Sequence, residues 1–586
     1  MRGKIGIRPI NDGRDSVRYK IEEKTFKMAN IAKKIIQENA FYLDGTPVEV
    51  IIPSHTITNA AEACEVDEAF AKEGVTATLS VTPIFCFGTE TMDMNPHTVK
   101  AVWGTNCTER PGAVYLACIM AAYAERGLPA FSIYGKDVQD MDDDSVPEDV
   151  KEKIIIFAKA ATAFAEMRNK SYVSIGSVSM GIPGSMLDPM LLQQYLGMRA
   201  EWVDMSEVNR RICKNIYDEK EYEKAAKWVK ENIKQGEDFY NPKELQHSEE
   251  EYKKDWEYSI KMAVVIKDIL HGNPVLAEKG YYEESLGKNA ISGGFQGQRH
   301  WTDWLPNCDF AESILNSSFD WNGIREPIPF ATENDTLNGL TMLFGTLLTN
   351  KATIFADVRT YWSHDAVKRV TGVNLTGIAK DGFIHLNNSG AASLDGAGAM
   401  KENGKPCIKE WWKVAEKDIQ DTLKQVSYHP ANLEYFKAGG FSSHYVTRAE
   451  LPHTMMRLNR IKGLGPVLQV IEGTTVDLPS SVTDLIEDRT DKAWPSTFFV
   501  PNICGDGNTK DIYSVMANWG ANHCALVPGH VGPEVLALAS MLRIPVSLHN
   551  IAKDRIFRPH VWSAYGDVGS ISGDILACKD LGPVYK

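Results

Sequence analysis

The residues of this chain best able to do chemistry are carboxylates and histidines set in otherwise apolar stretches. Residues 327–335, Pro-Ile-Pro-Phe-Ala-Thr-Glu-Asn-Asp, read as a strand ending in Glu333 and Asp335, with a helix over 336–348. Residues 354–359, Ile-Phe-Ala-Asp-Val-Arg, place Asp357 within or at the end of a second strand. Strand carboxyl ends are where α/β proteins gather ligands. A charge there must be paired, hydrogen-bonded or metal-bound. A third group is Trp519-Gly-Ala-Asn522-His523-Cys524, followed by Gly529-His530-Val-Gly532. Its two histidines suit metal ligation, proton transfer or plain turn bonding. The densest mixture of amide, cationic and aromatic side chains spans residues 293–303, with Gln296, Gln298, Arg299, His300 and Trp301. Amides and an indole face match sugar hydroxyls and C–H surfaces, and serve a domain interface equally well.

Two carboxylates and one imidazole make a mixed oxygen/nitrogen metal site. Such a donor set is harder than a zinc-thiolate site; it suits Mn²⁺ best and admits Mg²⁺, Co²⁺ or Fe²⁺. Three protein ligands leave positions open for substrate oxygens, as a Lewis-acid site requires. A competing reading needs no ion: Asp335 caps the following helix, and Asp357 pairs with Arg359 or Arg299. For Asp335 itself the cap is the expected role. Commoner signatures are missing from the sequence: no Walker loop, GxGxxG, HExxH or GxSxG occurs. Residues 505–510, Gly-Asp-Gly-Asn-Thr-Lys, have the wrong spacing for a phosphate loop and are expected to form a turn.

These residues need rigid elements to hold them. Residues 4–10, 48–53, 76–84 and 129–134 predict strands separated by helical patterns. One is 16–38, with Val17, Ile21, Phe26, Met28, Ile31 and Ile35 as its apolar stripe. Another is 147–168, whose acidic start suits a helix amino end. Strands alternating with amphipathic helices imply parallel pairing in a doubly wound α/β sheet. A second α/β unit begins at 171–177, includes residues 200–205, and carries a charged helical region over 219–254 expected to be solvated surface. After residue 351 the chain is richer in strands, at 354–358, 382–386, 467–471 and 476–478. The expected division is residues 1–169 and 170–350 as two α/β domains, and 351–586 as a more β-rich domain.

Composition narrows the function. The chain has 586 residues, 43% apolar and 24% charged, so it can bury several cores, one per domain. Its longest clean apolar run, 113–124, falls short of the ~20 residues a bilayer needs, so no membrane partner is expected. Net charge is −14 and pI about 5.6, with scattered basic residues, which disfavours nucleic acid. No secretory apolar region opens the sequence, and ten widely spaced cysteines form neither a CxxC pair nor a disulfide framework. A cytoplasmic protein with thiols as small core residues is the expectation.

At these segments the sequence resembles the L-fucose isomerases, a ketol isomerase family that also acts on D-arabinose. The blocks run in one order along the whole chain: Ile5-Gly-Ile-Arg-Pro, Asp12-Gly-Arg14, residues 108–117, Val178-Ser-Met180-Gly-Ile, Gly294-Phe-Gln-Gly-Gln-Arg, Asn316-Ser-Ser-Phe-Asp-Trp-Asn-Gly, Ala331-Thr-Glu-Asn-Asp, Phe355-Ala-Asp-Val-Arg-Thr-Tyr-Trp, Lys462-Gly-Leu-Gly-Pro and Trp519-Gly-Ala-Asn-His. The resemblance implies that Glu333, Asp357 and His523 ligate the metal, with the two carboxylates also as proton acceptors. It further implies a cis-enediol route and sugar contacts from Arg14, Met180, Gln296, Gln298, Trp494 and Asn522. It implies three domains, two α/β and one β-rich, and a homohexamer.

The sequence departs from the family around the pocket. Pro83-Ile-Phe85-Cys-Phe87-Gly88 stands where Pro-Cys-Trp-Cys-Tyr-Gly is usual, Cys107 stands where Gly is common, and Cys524-Ala-Leu-Val-Pro replaces a smaller Gly-containing run. The usual Trp is thought to reach a neighbouring subunit's sugar, so Phe85 loses an indole N–H there. These changes bear on substrate preference rather than reaction type. Rival readings are a hydrolase or lyase using the same trio, and a non-catalytic sugar-binding protein. Retained acid/base carboxylates argue against the latter.

Overall fold

The computed structural model describes residues 2–388, 391–505 and 507–586. The first layer is a parallel sheet of β1 (Lys4–Pro9), β2 (Val50–Ile51), β3 (Val75–Thr82), β4 (Val99–Gly104) and β5 (Ala130–Ile133). Its order, β2-β1-β3-β4-β5, is doubly wound. The predicted stripe forms the helix Asp15–Asn39, which buries Ile21, Met28 and Ile35 against this sheet, while Val17, Phe26 and Ile31 stay half-buried.

A second parallel sheet holds β6 (Ser171–Ile175), β7 (Arg199–Val203) and β8 (Ala290–Phe295). After a short hairpin of β9 (Phe319–Asp320) and β10 (Gly323–Ile324) comes β11 (Phe330–Ala331), giving the order β11-β8-β6-β7. The charged region splits into two helices, Glu219–Asn232 and Glu249–His271. The second opens with a Ser248/Glu251 capping box and buries Ile260, Val264 and Ile269.

The rest of the chain supplies β12 (Ile354–Trp362), β13 (Phe383–Asn387), β14 (Met400–Glu402), β15 (Lys405–Cys407), β16 (Ser427–Pro430), β17 (Phe441–His444), β18 (Pro452–Ile461), β19 (Gly465–Thr475), β20 (Ser496–Pro501), β21 (His523–Pro528) and β22 (Val546–His549). Strands β18-β21-β12-β13-β20-β19 pair in that order. β18 also pairs with β19, so the antiparallel sheet closes into a barrel, with β22 added outside. The strand expected at 476–478 does not form. Val476 makes one further backbone bond, to the Phe498 carbonyl, after β19 has ended. Gly507–Thr509 forms a short 3₁₀ turn within the expected turn; Asp506 lies outside the described residues.

The expectation of one core per domain is corrected. One buried cluster joins the first sheet to the helices Thr336–Thr349 and Gly532–Leu542, and another joins the second sheet to the barrel interior. The helix Thr336–Thr349 is the wedge between layers, buried throughout 336–348. Gly339 and Gly345 let it approach closely: a Cβ at these positions would lie 2.9 Å from the Tyr172 ring and 2.4 Å from Val527. The cysteines are not uniformly core residues, since Cys64, Cys118, Cys213 and Cys504 are exposed. Among the described residues, no helix is long and apolar enough to cross a membrane.

Candidate active site

Three loops at the carboxyl ends of β6, β8 and β11 meet the outer face of the barrel. The segment expected to be a strand up to Glu333 is strand only at Phe330–Ala331. It then turns through Thr332–Asn334, with Glu333 (φ 55°) and Asn334 (φ 46°) left-handed. That conformation is uncommon for side chains with a Cβ and needs outside support. Asn334 supplies it by donating to Ser174 Oγ (2.7 Å) and the Ser177 carbonyl (3.1 Å), and Ser185 Oγ donates to the Glu333 carbonyl (3.0 Å).

Asp357 lies inside β12 and His523 opens β21; the two are direct cross-strand partners. His523 Nε2 lies 3.1 Å from Asp357 Oδ1 and 3.4 Å from Glu333 Oε2. Asp357 therefore faces an imidazole, and among the described residues it forms no ion pair with Arg359 or Arg299, contrary to the ion-free reading. Asp335 does cap the wedge helix, its Oδ1 accepting from the Asn338 N–H at 3.1 Å. Its Oδ2 has a second task, lying 2.6 Å from His523 Nδ1 and 2.7 Å from Arg457 Nη1. His530 bonds the Gly473 carbonyl instead (2.8 Å).

The local field is strongly negative. Burial would raise the Asp335 pKa, but the Arg457 charge and His523 outweigh it and hold the carboxyl well below the usual range. Burial opposes the imidazolium of His523, yet Asp335, Asp357 and Glu333 together raise its pKa well above the ordinary value. Behind the Glu333 turn, burial lifts the Asp309 and Glu312 carboxyls well above theirs, with Glu333 adding to both shifts.

The donor set suits a hard divalent ion. The imidazole and carboxylates touch one another directly and leave no preformed cation cavity among the described residues, so an ion would enter by displacing the Nε2 proton. The observed spacings of 3.1 and 3.4 Å keep Asp357 Oδ1, Glu333 Oε2 and His523 Nε2 close enough that the three would hold one ion. With Nδ1 engaged by Asp335, Nε2 is the nitrogen left for a metal, as in carboxylate–histidine–metal triads.

Of the other candidates, Asn522 Nδ2 lies 3.1 Å from His523 Nε2. Gln296 is buried and accepts from the Ser177 N–H (2.6 Å), while the Gln298 carbonyl accepts from Ser179 Oγ (2.7 Å). Met180, half exposed, sits in the same 176–186 loop that supports Glu333. Trp494 precedes β20, whose Ser496 pairs with Asn387, the other cross-strand partner of Asp357. Arg14 and Phe85 are elsewhere. They follow β1 and β3 at the crevice where the first sheet's strand order reverses, Arg14 bonded to Asp12 and Phe85 48% exposed. Among the described residues, no hydrogen bond, ion pair or ring contact joins either to the trio. Arg457 escaped the sequence reading; its signal was a lone cation between Met456 and Leu458 in an alternating strand.

Comparison with known proteins places the chain. It matches the family models for the first N-terminal, second N-terminal and C-terminal domains of L-fucose isomerase over residues 2–169, 170–350 and 386–550. It is 54% identical to an L-fucose isomerase of Bacteroides fragilis and 53% identical to one of Clostridium perfringens, over 100% of this chain and 99% of each relative. One from Streptococcus pneumoniae is 52% identical with the same coverage. The chain belongs to the L-fucose isomerase family, enzymes that interconvert an aldose and a ketose.

Proposed function

We propose that this chain converts L-fucose to L-fuculose, and D-arabinose to D-ribulose, with Mn²⁺ held by Glu333, Asp357 and His523. The observation that carries the reading is the convergence of two carboxylates on one buried imidazole nitrogen, in a chain at least 52% identical throughout to proteins named for this reaction. The bound ion would supply Lewis-acid stabilisation for charge building on the sugar oxygens O1 and O2. Mg²⁺, Co²⁺ or Fe²⁺ would fit the same donors.

The carboxylates do the proton work. One removes the C2 proton, the C2–H electrons form the C1–C2 double bond, and the aldehyde oxygen takes up a proton to give a cis-enediol. A proton is then delivered to C1 while the 2-hydroxyl loses its own, leaving the ketose. Both carboxylates touch the same imidazole, so they flank one small volume in which C1 and C2 would lie. Asn522, Gln296, Gln298, Met180 and Trp494 would contact the hydroxyls and ring face. Arg14 and Phe85 would serve the site of a neighbouring subunit in a cytoplasmic homohexamer, a state analytical ultracentrifugation checks. The deciding experiment is isomerisation of L-fucose in D₂O with Mn²⁺. Deuterium at C1 of a ketose product supports the enediol route; a ketose free of deuterium would mean that the hydrogen passes from C2 to C1 without solvent exchange, and no ketose would refute the assignment.

A further inference from the structure

We propose that Asp335, clamped by Arg457, is the positioning residue of this site, setting which nitrogen of His523 faces the cation. The inference rests on the metal reading above and concerns a residue that touches neither sugar nor ion.

Both oxygens of Asp335 are committed and the side chain has no solvent exposure. Oδ1 accepts from the Asn338 N–H, and Oδ2 receives His523 Nδ1–H at 2.6 Å and Arg457 Nη1–H at 2.7 Å. The carboxylate therefore has no freedom to rotate. A carboxylate can only accept, so Asp335 holds a proton on Nδ1, and Nε2, facing Glu333 and Asp357, is the nitrogen that would give up its proton to a cation. Arg457 is itself fixed. Its Nε donates to Asn459 Oδ1 (3.2 Å), and Asn459 Nδ2 donates to Gln469 Oε1 (3.3 Å). That same oxygen accepts the Gly520 N–H at 2.9 Å, and Gln469 Nε2 donates to the Asn518 carbonyl at 3.0 Å. Gly520 begins the loop that delivers Asn522 and His523. The circuit thus closes: Asp335 aims the ring, and through Arg457 the same network holds the backbone that carries it.

Asp335→Asn tests this. An amide retains capping ability, but if its oxygen caps the helix, its NH₂ faces Nδ1. The imidazole must then move its proton to Nε2, where it blocks the cation. Mn²⁺ is titrated into metal-free protein and free ion is read by electron paramagnetic resonance, with thermal melting of the metal-free protein alongside. The expected result is a 10- to 100-fold weaker Mn²⁺ affinity, the usual range for losing such a partner, with little change in melting. In a His523→Ala background the same substitution should add no further weakening. Arg457→Lys, which keeps the charge but not the fork, should weaken affinity in the same direction by less. Unchanged affinity in Asp335→Asn, a lowered melting temperature as its only effect, or equal weakening with and without His523 would each overturn the proposal. A wild-type protein that binds no Mn²⁺ would overturn the metal reading itself.

Discussion

Gly184 offers a way to disturb the site without touching any group that could meet substrate. It lies in the short turn Pro183–Ser185 and has no side chain between it and the Asp335–Arg457 pair. A Cβ there would fall 2.2 Å from Asp335 Oδ1 and 2.6 Å from Arg457 Nη2. Real Cβ contacts essentially never come below 3.0 Å, so Gly184→Ala demands a displacement of about 0.8 Å. Neither partner can yield into solvent, because both are buried. Either the carboxylate moves off His523, or the turn retreats and takes Ser185, which holds the Glu333 carbonyl, with it. Overpacking of this kind costs ~1–3 kcal/mol of stability, and a misplacement near 1 Å costs ~10² in rate. With saturating Mn²⁺, kcat/KM on L-fucose should fall by about two orders of magnitude while the protein still folds, with a lowered Tm. Activity within threefold of wild type at unchanged Tm would refute the packing argument.

Glu333→Gln and Asp357→Asn should each fold and lower kcat by at least ~10², the scale of a general acid/base; steady-state kinetics on L-fucose measures this, and His530→Ala should be near wild type. Chelation of divalent ions should abolish turnover, and Mn²⁺ should restore it better than Ca²⁺, whose larger shell prefers more oxygen ligands; full activity in metal-free protein would contradict the site. L-Fucose and D-arabinose differ by one methyl far from the reacting carbons, worth ~1–3 kcal/mol, so parallel assays should find both turned over, and L-arabinose slower than either. His453 is pushed down to about 4 by burial, so below the ordinary value of ~6.5 the unfolded chain takes a proton that the folded chain refuses. Stability is lost as pH falls from ~6.5 toward 4, by ~2 kcal/mol at pH 5. His453→Gln should flatten the denaturant-measured stability profile by about that amount.

Much of the first sheet was legible because each strand and helix carries its own period: alternation in 76–84 and a helical stripe from Ile21 to Ile35 need no partner to be read. The carboxylates were legible as charges in apolar surroundings. What escaped depends on pairing across distance. Nothing local in 354–359 says that Asp357 will lie beside His523, since β12 and β21 are sheet neighbours separated by most of the C-terminal chain. The left-handed Glu333 is unreadable for a similar reason: its support comes from Ser174 in β6 and from Ser177 and Ser185 in the loop that follows it. Asp335 fits its local role as a cap so well that no sequence signal remains for its second one. The merged cores follow from the helix 336–348, which carries no charged residue and is buried along its whole length, so it must be covered on every side.

The placement of the trio also explains why no single layer could hold it. Glu333 sits at the carboxyl end of a parallel strand, on a loop, while Asp357 and His523 are locked by strand register on the barrel. A purely loop-built site would be adaptable but loose; a site built only from strand positions would be rigid but would leave no side for substrate to enter. On the proposed metal reading, joining the two across the wedge helix would give two ligands whose spacing is fixed by backbone pairing and one that can settle onto the ion. Asp335 stands at that joint, capping the helix with one oxygen and aiming the histidine with the other. One side chain therefore joins the helix between the layers to the histidine and the arginine of the barrel. An ion bound by residues of both layers would stabilise their docking by RT ln(1 + [L]/Kd), ~2.7 kcal/mol at a hundredfold excess over Kd, so on the proposed reading the metal holds the fold together at the place where it does its chemistry.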